Sequence, residues 1–244
     1  MVFCAPGYPG GAGDAQPFVD QFATAAAAAA GWSAGSLTAV YDPTEQGGLT
    51  KLESPDAVLA FVPYPFYVEH SARLHLVPIA QADVAGTGTK QRWTLVAKAG
   101  RVSGPASMAG YTIVSVAGYA PDFVRNSALA GALPAGVKIE FTGQILSALR
   151  KVASGEQVAA LLDQTQTAAL ATLPFAGDIK SVAQSPELPV ALIAVVNSRL
   201  TDARAHAFQA ALLKMGHAGD NDMLGSLHLQ GFIMPELPAR AGTQ

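Results

Sequence analysis

Short apolar runs alternate with helical stretches along almost the whole chain. This alternation is typical of an α/β protein, in which helices cover the faces of a sheet. The runs that predict strands are residues 2–5, 37–41, 57–62, 76–80, 92–98, 111–116, 137–141, 159–162, 179–183 and 190–196. One small sheet does not need so many strands, so we expect two sheets.

The longest predicted helix covers residues 14–30 and ends in six alanines before Gly31. Alanine is the best helix former and glycine commonly ends a helix, so this stretch indicates a helix and not a flexible linker. Phe18 and Phe22 lie four positions apart in it. We expect both side chains to face the sheet, because residues four apart are neighbours on one side of a helix.

The strand–helix units form two clusters, joined near residues 86–90 and again near residues 185–189. This order predicts two α/β lobes connected by two crossover hinge segments, with residues 1–89 and 190–244 in lobe I and residues 90–189 in lobe II. It also predicts a cleft between the lobes. Ligands of open α/β sheets bind beyond the carboxyl ends of the strands, so we expect a ligand in that cleft.

Composition narrows the class of protein. Of the 244 residues, 50% are hydrophobic and 14% are charged, and the net charge is −3. Without clustered lysine or arginine, the chain lacks the surface that nucleic acid requires. No apolar run reaches the roughly 18 to 20 residues that span a bilayer, so we expect a soluble protein. Cys4, the only cysteine, lies in an apolar run and is expected to be a buried structural thiol.

Catalytic and metal-binding patterns are scarce. The histidines show no H-E-x-x-H spacing, no cysteine accompanies them, and no G-x-S-x-G turn is present. We therefore predict no catalytic residues, no metal and no cofactor, and we expect the histidines at the surface or at helix caps. The five histidines are His70, His75, His206, His217 and His228.

Aromatic and neutral residues follow the predicted strands, where sheets of this kind hold their ligands. The candidate ligand-binding residues are Tyr8, Pro9, Tyr41, Tyr64, Phe66, Trp93, Gly118, Tyr119, Thr142, Gln144, Asp163 and Gln164. A pocket for a dianion should supply Arg, Lys or several N–H donors, whereas a neutral or apolar ligand needs aromatic and aliphatic walls. The second description fits this set better. Asp163 has two open roles, orienting a ligand or capping the helix that begins at Gln164.

Four segments resemble motifs of one known family. They are SPDAVLAFVPY at residues 54–64, MAGYTIV at residues 108–114, ASGEQVAALLD at residues 153–163, and the tail from Met223-Leu224 to Gly231-Phe232. In this order and spacing they resemble the type II periplasmic solute-binding proteins, in the branch of phosphonate- and phosphate-binding components of ABC transporters. The resemblance implies a monomer that closes over a small-molecule ligand by hinge motion, without enzymatic chemistry. It also implies a periplasmic protein, its leader removed, that hands the ligand to membrane transporter subunits.

The chain departs from that family at its anion-binding turn. Phosphonate binders of this branch carry a Ser/Thr-rich turn at a helix N-terminus, and the matching positions here are Gly118, Tyr119, Ala120 and Pro121. Proline has no N–H, and tyrosine offers one hydroxyl at the end of an apolar ring. A family aspartate is also replaced, by Gln157. These departures argue against phosphonate binding and favour a neutral or apolar ligand, lipid-like molecules included.

Two alternatives stay open from the sequence. The first keeps the fold but binds an oxyanion (a phosphonate, phosphate or sulfonate) through backbone N–H groups around Gly118 and Gly143. The second is an enzyme on the same fold, which would need an acid–base pair formed by Asp163 and a histidine.

Overall fold

The computed structural model describes residues 1–7, 11–216 and 221–238. In chain order, its strands and longer helices are β1 (Val2–Cys4), α1 (Ala12–Ala29), β2 (Val40–Asp42), α2 (Glu45–Glu53), β3 (Leu59–Pro63), α3 (Tyr64–Leu74), β4 (Leu76–Val84), β5 (Lys90–Gln91), β6 (Thr94–Lys98), β7 (Thr112–Ser115), β8 (Lys138–Phe141), α4 (Ile145–Ser154), β9 (Val158–Leu162), α5 (Gln164–Leu170), β10 (Ile179–Gln184), β11 (Leu188–Pro189), β12 (Ala191–Val196), α6 (Asp202–Leu212), α7 (Asn221–Ser226) and β13 (Leu229–Ile233). A π-helix, Phe123–Ala128, follows β7.

The chain divides into two compact units. Unit 1 comprises Met1–Ala5, Gly10–Lys90 and Leu188–Gln244, and unit 2 comprises Pro6–Pro9 and Gln91–Glu187. The sequence predicts boundaries at residues 89/90 and 189/190 between two lobes that move as rigid bodies. A division based on packing does not test that movement, so these boundaries stay a prediction. Each unit is built around its own sheet.

Unit 1 contains a six-stranded sheet in the order β13-β4-β12-β3-β1-β2. Strand β1 runs parallel to β2 and β3, whereas β12 runs antiparallel to β3 and β4. Helices α1 and α6 supply Phe22 and Phe208, both fully buried, to a hydrophobic core that also contains Phe3 and Phe232 from the sheet. Burial of this apolar surface is the main force that holds the unit together.

Helix α1 forms where the sequence predicts it, but one of its two phenylalanines does not face the core. Phe22 is fully buried, whereas Phe18 is 42% exposed. Val19 takes the buried position one turn before Phe22, because residues three apart share a helix face as well as residues four apart. The helix ends at Ala29, just before Gly31, whose φ of 73° is the left-handed conformation that glycine adopts without strain.

Unit 2 contains a five-stranded sheet in the order β10-β6-β9-β7-β8. Strand β7 runs parallel to β8 and β9, whereas β6 runs antiparallel to β9 and β10. Helix α4 packs its buried Leu149 and Val152 against β6 and β9. Since three of the five strands are parallel, their carboxyl ends meet at one edge of the sheet.

The two connecting segments are themselves strands. β5 and β11 form a separate two-stranded sheet, so the outgoing and returning chain are hydrogen-bonded to each other. Within the described residues, no helix is both long and apolar enough to cross a membrane.

Candidate ligand-binding site

The carboxyl edge of the unit 2 sheet gathers most of the predicted ligand-binding residues of that unit. β7, β8 and β9 end there at Ser115, Phe141 and Leu162. The antiparallel strand β6 begins there at Thr94, which pairs with Leu162. This edge is where ligands of open α/β sheets bind.

Ser115 organises the turn that follows β7. Its fully buried hydroxyl donates to the carbonyl of Leu161 at 2.8 Å and accepts from the amide of Ala117 at 3.1 Å. Its carbonyl accepts from the amides of Gly118 at 3.1 Å and Thr142 at 2.9 Å. Ser115 therefore fixes the ends of three neighbouring strands, and these hydrogen bonds stay within the protein.

Gly118 is required by close packing. A Cβ added at Gly118 would lie 2.1 Å from the carbonyl oxygen of Glu140 on β8, far inside van der Waals contact. The amide of Gly118 is already used by Ser115, which removes it from the N–H groups that the oxyanion alternative assigned to a ligand. The glycine of the altered turn therefore serves the fold.

Tyr119 and Phe141 form an apolar surface at this edge. Their ring centroids lie 6.3 Å apart, within the range of favourable aromatic pairs. Phe141 is 51% exposed, and Leu146 in the first turn of α4 is 46% exposed. This surface resembles the aromatic wall that the sequence predicts, and it lies at the β8 end of the sheet.

Thr142 and Gln144 prepare the start of α4. The hydroxyl of Thr142 accepts the amide of Gln144 at 3.1 Å. Within the described part of the chain, the side chain of Gln144 makes no capping hydrogen bond, although it occupies the N-cap position. The position of both residues is therefore set by the beginning of α4, and the side chain of Gln144 is exposed to solvent.

Asp163 takes the capping role of its two predicted roles. Its carboxylate accepts the amide of Gln166 at 2.7 Å, and the side chain of Gln166 accepts the amide of Asp163 at 3.2 Å. This reciprocal pair is a capping box at the start of α5. Burial raises the pKa of the Asp163 carboxyl, and the hydrogen bonds from Gln166 and Thr165 partly oppose that shift.

Two buried donors at this edge have no partner. Among the described residues, the buried side-chain nitrogen or oxygen atoms without a hydrogen bond are Gln91 Nε2 and Trp93 Nε1. Gln91 is 4% exposed and Trp93 is 1% exposed. An unsatisfied buried donor costs about 1–3 kcal/mol, so two of them only two positions apart require an explanation such as a bound acceptor.

The surroundings of these donors fix where they lie. The indole of Trp93 packs edge-on against Phe123, with ring centroids 5.2 Å apart, and the amide of Trp93 donates to the hydroxyl of Ser185 at 2.9 Å. The side-chain oxygen of Gln91 accepts the amide of Gln164, at a long 3.5 Å. Gln91 therefore ends β5 beside the start of α5, and Trp93 directly precedes β6 beside the helix that follows β7.

Arg92, between the two donors, faces solvent. Its guanidinium donates to the carbonyl of Ser185 at 3.2 Å and lies 3.6 Å from the carboxylate of Glu187. Exposed pairs of this kind contribute about 0–1 kcal/mol. Since Gln91 and Trp93 on either side are buried, the extended chain turns its cation away from them. The two buried donors without a partner, on Gln91 and Trp93, are thus neutral N–H groups, and the cation between them does not join them.

The carboxyl edge of the unit 1 sheet is charged and internally satisfied. Asp42, at the end of β2, accepts the amide and hydroxyl of Thr44 at 2.9 and 2.7 Å and forms an ion pair with Lys51. Burial alone would raise the pKa of Asp42, but the hydrogen bonds from Lys51 and Thr44 outweigh it and hold that pKa below its usual value. Cys4, at the end of β1, is buried as predicted, and burial raises the pKa of its thiol.

The predicted ligand residues of unit 1 are engaged in packing. Tyr41 lies on β2 against the hydrophobic core. Tyr64 is 6% exposed and stacks on Tyr67, with ring centroids 6.1 Å apart. Phe66 is fully buried, with its ring edge-on to His70 at 4.6 Å.

His70 corrects the expectation that the histidines lie at the surface or at caps. It is 9% exposed, and its Nε2 lies 2.8 Å from the carboxylate of Glu45. Burial lowers the pKa of His70, Glu45 raises it in part, and Arg73 lowers it further. The buried ring of His70 on α3 thus contacts Glu45 of α2, a partner that the sequence did not indicate.

Some predicted residues lie outside the described ranges, and the predicted acid–base partner of Asp163 is absent from its own unit. Tyr8, Pro9 and His217 lie outside the described ranges. No histidine occurs between Gln91 and Glu187, so the unit that contains Asp163 supplies none of the acid–base pairs that the enzyme alternative requires. Sequence reasoning selected Trp93 but missed Gln91, whose only sequence signal is its position two residues before Trp93 at the start of a strand.

The two α/β sheets and the paired crossover strands define a class of protein, the two-lobe periplasmic binding proteins. The fold of XAC2383 from Xanthomonas citri, solved with chloride and also with ATP, is similar. The chloride structure has a TM-score of 0.70 and 14% identity, and the match covers 97% of this chain and 91% of that chain. At this identity the similarity shows the fold alone.

Two further solved structures share this fold. The binding protein component PA3383 of an ABC phosphonate transporter from Pseudomonas aeruginosa has a TM-score of 0.62 and 14% identity, over 96% of this chain and 80% of that chain. PhnD1 from Prochlorococcus marinus, in complex with methylphosphonate, has a TM-score of 0.58 and 13% identity, over 96% of this chain and 92% of that chain. The predicted fold class is confirmed.

The family follows from the sequence itself. The family model for phosphonate periplasmic substrate-binding proteins of ABC transporters matches residues 57–237, well over half of the chain. The chain belongs to this family, and the resemblance found in its motifs is confirmed. A search of curated proteins finds no match.

Membership of this family defines the role of the chain in outline. It is a periplasmic substrate-binding component of an ABC transporter, a class that binds small ligands and works with membrane transporter subunits. The family is one of binding proteins and not of enzymes. It does not support the predicted neutral or lipid-like ligand, and it fits the oxyanion alternative better.

Proposed function

We propose that the protein captures a small oxyanion of the phosphonate, phosphate or sulfonate class, and that Gln91 and Trp93 donate hydrogen bonds to its oxygens. The observation that carries the proposal is the pair of buried, unpartnered donors Gln91 Nε2 and Trp93 Nε1. Oxyanions accept several hydrogen bonds at once, and a bond to a charged acceptor contributes about 1.5–3 kcal/mol. A bound oxyanion would thus convert two unfavourable donors into two favourable contacts.

The site differs from the one that the oxyanion alternative placed at the turn after β7. That alternative relied on the amides around Gly118 and Gly143, and the amide of Gly118 is occupied by Ser115. Trp93 directly precedes β6, which is two strands further along the sheet, and Gln91 ends β5 two residues earlier. The proposal therefore keeps the ligand class of that alternative and moves the donors to the crossover.

The family description supports the same class because it names phosphonate, whereas the ligands of similar folds are mixed and include arginine and glutamine as well as anions. Methylphosphonate, ATP and chloride, which occupy the structures of PhnD1 and XAC2383, are all anions. The apolar surface of Phe141 and Leu146 does not join the proposed site, because β8 and β6 are three strands apart, about 14 Å. A ligand as small as methylphosphonate does not span that distance.

Two mechanical features extend the proposal. We expect a monomer in which the two units close over the ligand by hinge motion, since ligand binding shifts a two-state equilibrium only through contacts that differ between the states. The paired strands β5 and β11 are the hinge in this account. The proposal also keeps the predicted hand-over of the ligand to transporter subunits in the membrane.

Isothermal titration calorimetry with four probes tests the ligand class. Inorganic phosphate, methylphosphonate and methanesulfonate are titrated into the protein, with glycerol as a neutral control of similar size. We expect dissociation constants on the order of 1 µM, about −8 kcal/mol, for at least one oxyanion and no heat with glycerol. Heat with none of the three oxyanions, combined with a molecule retained from lipid extracts in native mass spectrometry, would instead establish the apolar ligand.

A further inference from the structure

Gln81 is a fully buried polar side chain at the centre of unit 1, and both ends of its amide are used. It lies on β4, with no exposed surface. Its Nε2 donates to the carbonyl of Thr89 at 2.8 Å, and its Oε1 accepts the amide of Glu236 at 2.9 Å. One side chain therefore joins the segment that follows β13 to the segment that leads into β5.

The hydrogen bonds continue from Thr89 into the returning crossover. The carbonyl of Thr89 also accepts the amide of Val190 at 3.1 Å, and the carbonyl of Val190 accepts the amide of Tyr64 at 3.0 Å. Thr89 directly precedes β5 and Val190 directly follows β11. The chain of bonds thus passes through both crossovers and ends at the first residue of α3.

A second contact ties the same two segments together. Lys90 Nζ lies 2.5 Å from the carboxylate of Glu236. Glu236 therefore reaches the outgoing crossover twice, through its backbone amide by way of Gln81 and through its own carboxylate. Strands β5 and β11 have only two residues each, so they provide few hydrogen bonds of their own and depend on such outside contacts.

We propose that Gln81 is a positioning residue for ligand capture. Through its hydrogen bonds to Thr89 and Glu236, it attaches both crossovers to residues 234–238 and keeps them in register. The buried donors Gln91 and Trp93 lie two and four residues after Thr89, so the carbonyl that Gln81 holds, together with the Lys90–Glu236 pair, anchors the chain just before them. Loosening it makes the crossovers more mobile, and ligand binding must then pay more ordering entropy. The effect on affinity rests on the proposed function.

The test combines a ligand-free and a ligand-bound measurement on Gln81→Met, which keeps the length of the side chain and removes both hydrogen bonds. Gln209→Met is the matched control, because Gln209 Nε2 also donates to a backbone carbonyl of β4, that of Ile79 at 2.7 Å, but does not contact a crossover. Glu236→Pro removes the amide donor from the other end, and Glu236→Gln removes only the charge.

Amide hydrogen exchange of the ligand-free protein is measured at Val190 and Tyr64. We expect both amides to exchange about fivefold faster in Gln81→Met and in Glu236→Pro, the factor that corresponds to one lost neutral hydrogen bond. Gln209→Met should leave them unchanged, and Glu236→Gln should have a smaller effect. Equal rates in Gln81→Met and Gln209→Met would overturn the inference.

Calorimetry with methylphosphonate gives the second measurement. We expect the dissociation constant of Gln81→Met to rise about fivefold over wild type, with no rise for Gln209→Met. Faster exchange with an unchanged dissociation constant would overturn the positioning role. If the wild-type protein binds no oxyanion, the proposed function fails, and the exchange rates still decide whether Gln81 holds the crossovers.

Discussion

The carboxyl edges of the two sheets differ in their chemistry. In unit 1, Asp42 at the end of β2 carries a charge that is paired within the protein, with Lys51. In unit 2, the corresponding edge carries the neutral donors of Gln91 and Trp93, which have no partner among the described residues. One edge is satisfied by its own fold, and the other leaves two donors for which we propose an oxyanion as the acceptor.

This difference separates polar groups that build the fold from polar groups that we propose bind a ligand. A buried polar group with all its hydrogen bonds made stabilises the folded state, whereas an unsatisfied one costs free energy unless something binds it. Substitutions at the two edges should therefore affect different quantities. Unit 1 changes should lower stability, and Gln91 or Trp93 changes should lower affinity.

The largest expected effect is on affinity, from removing both donors of unit 2 together. The variant Gln91→Leu/Trp93→Phe keeps the apolar bulk and removes both N–H groups. We expect the methylphosphonate dissociation constant to rise by a factor of about 10³, from two charge-assisted hydrogen bonds of about 2 kcal/mol each. The melting temperature should change little, because the removal of two unsatisfied donors offsets the loss of the long hydrogen bond from Gln164 to Gln91.

Trp32→Phe is the matched control for that variant. Trp32 stacks on Phe208 in unit 1, with ring centroids 5.1 Å apart, so its loss should leave the affinity unchanged. If the double variant melts at a lower temperature and binds as tightly as wild type, Gln91 and Trp93 stabilise the fold and do not bind the ligand. The two edges would then not differ in role.

The next effect concerns the turn after β7, which belongs to the fold in this account. Gly118→Ala places a methyl group 2.1 Å from the Glu140 carbonyl oxygen, and we expect a loss of about 3 kcal/mol in the free energy of unfolding. Gly143→Ala is its counterpart at the next strand end, where a Cβ meets nothing within 4 Å. Urea denaturation of both variants measures the contrast, and two equal losses would refute the packing role of Gly118.

Asp42→Ala probes the satisfied edge of unit 1. It removes an acceptor of two hydrogen bonds from Thr44 and the partner of Lys51, so we expect a loss of about 2 kcal/mol in unfolding free energy. Asp178→Ala breaks an exposed pair with Lys98 and should cost less than about 1 kcal/mol. Chemical denaturation that ranks the two variants in the reverse order would contradict the assignment.

The smallest effect is a pH dependence of stability at His70. Burial holds the pKa of folded His70 below the unfolded value of about 6.5. The unfolded chain therefore protonates first, so this contribution to stability is complete above about pH 6.5 and is lost as the pH falls below it. Melting temperatures between about pH 7.5 and pH 5 should fall less for His70→Gln than for wild type. An identical fall would show that His70 does not titrate in this way.

Local pattern was sufficient for most of the fold. The alanines of α1 and the apolar runs of β3, β7 and β9 predict their elements because helix propensity and strand burial are written in consecutive residues. Phe18 shows the limit, since spacing of four also fits a helix face that Val19 and Phe22 define. Which of two overlapping faces is buried depends on the partner surface, which the local sequence does not contain.

The candidate site was predictable only in part. Strand-end position selected Trp93 and Asp163, but the roles came from distant partners, such as Gln166 for Asp163. Gln91 was missed because a missing partner leaves no trace in a sequence. The apolar ring of Tyr119 and the missing N–H of Pro121 suggested that the turn had lost its ligand class, whereas the donors that we propose for an oxyanion lie near another strand.

The indole N–H of Trp93 shows directly whether Trp93 donates a hydrogen bond to a bound oxyanion. The chain contains two tryptophans, so a ¹H–¹⁵N spectrum resolves two indole signals, which Trp32→Phe assigns. On addition of methylphosphonate, or of whichever oxyanion binds in calorimetry, we expect the Trp93 signal to move downfield in proton frequency, as a new hydrogen bond to an oxyanion requires, and the Trp32 signal to stay in place. A bound oxyanion that leaves the Trp93 signal unmoved would contradict the account.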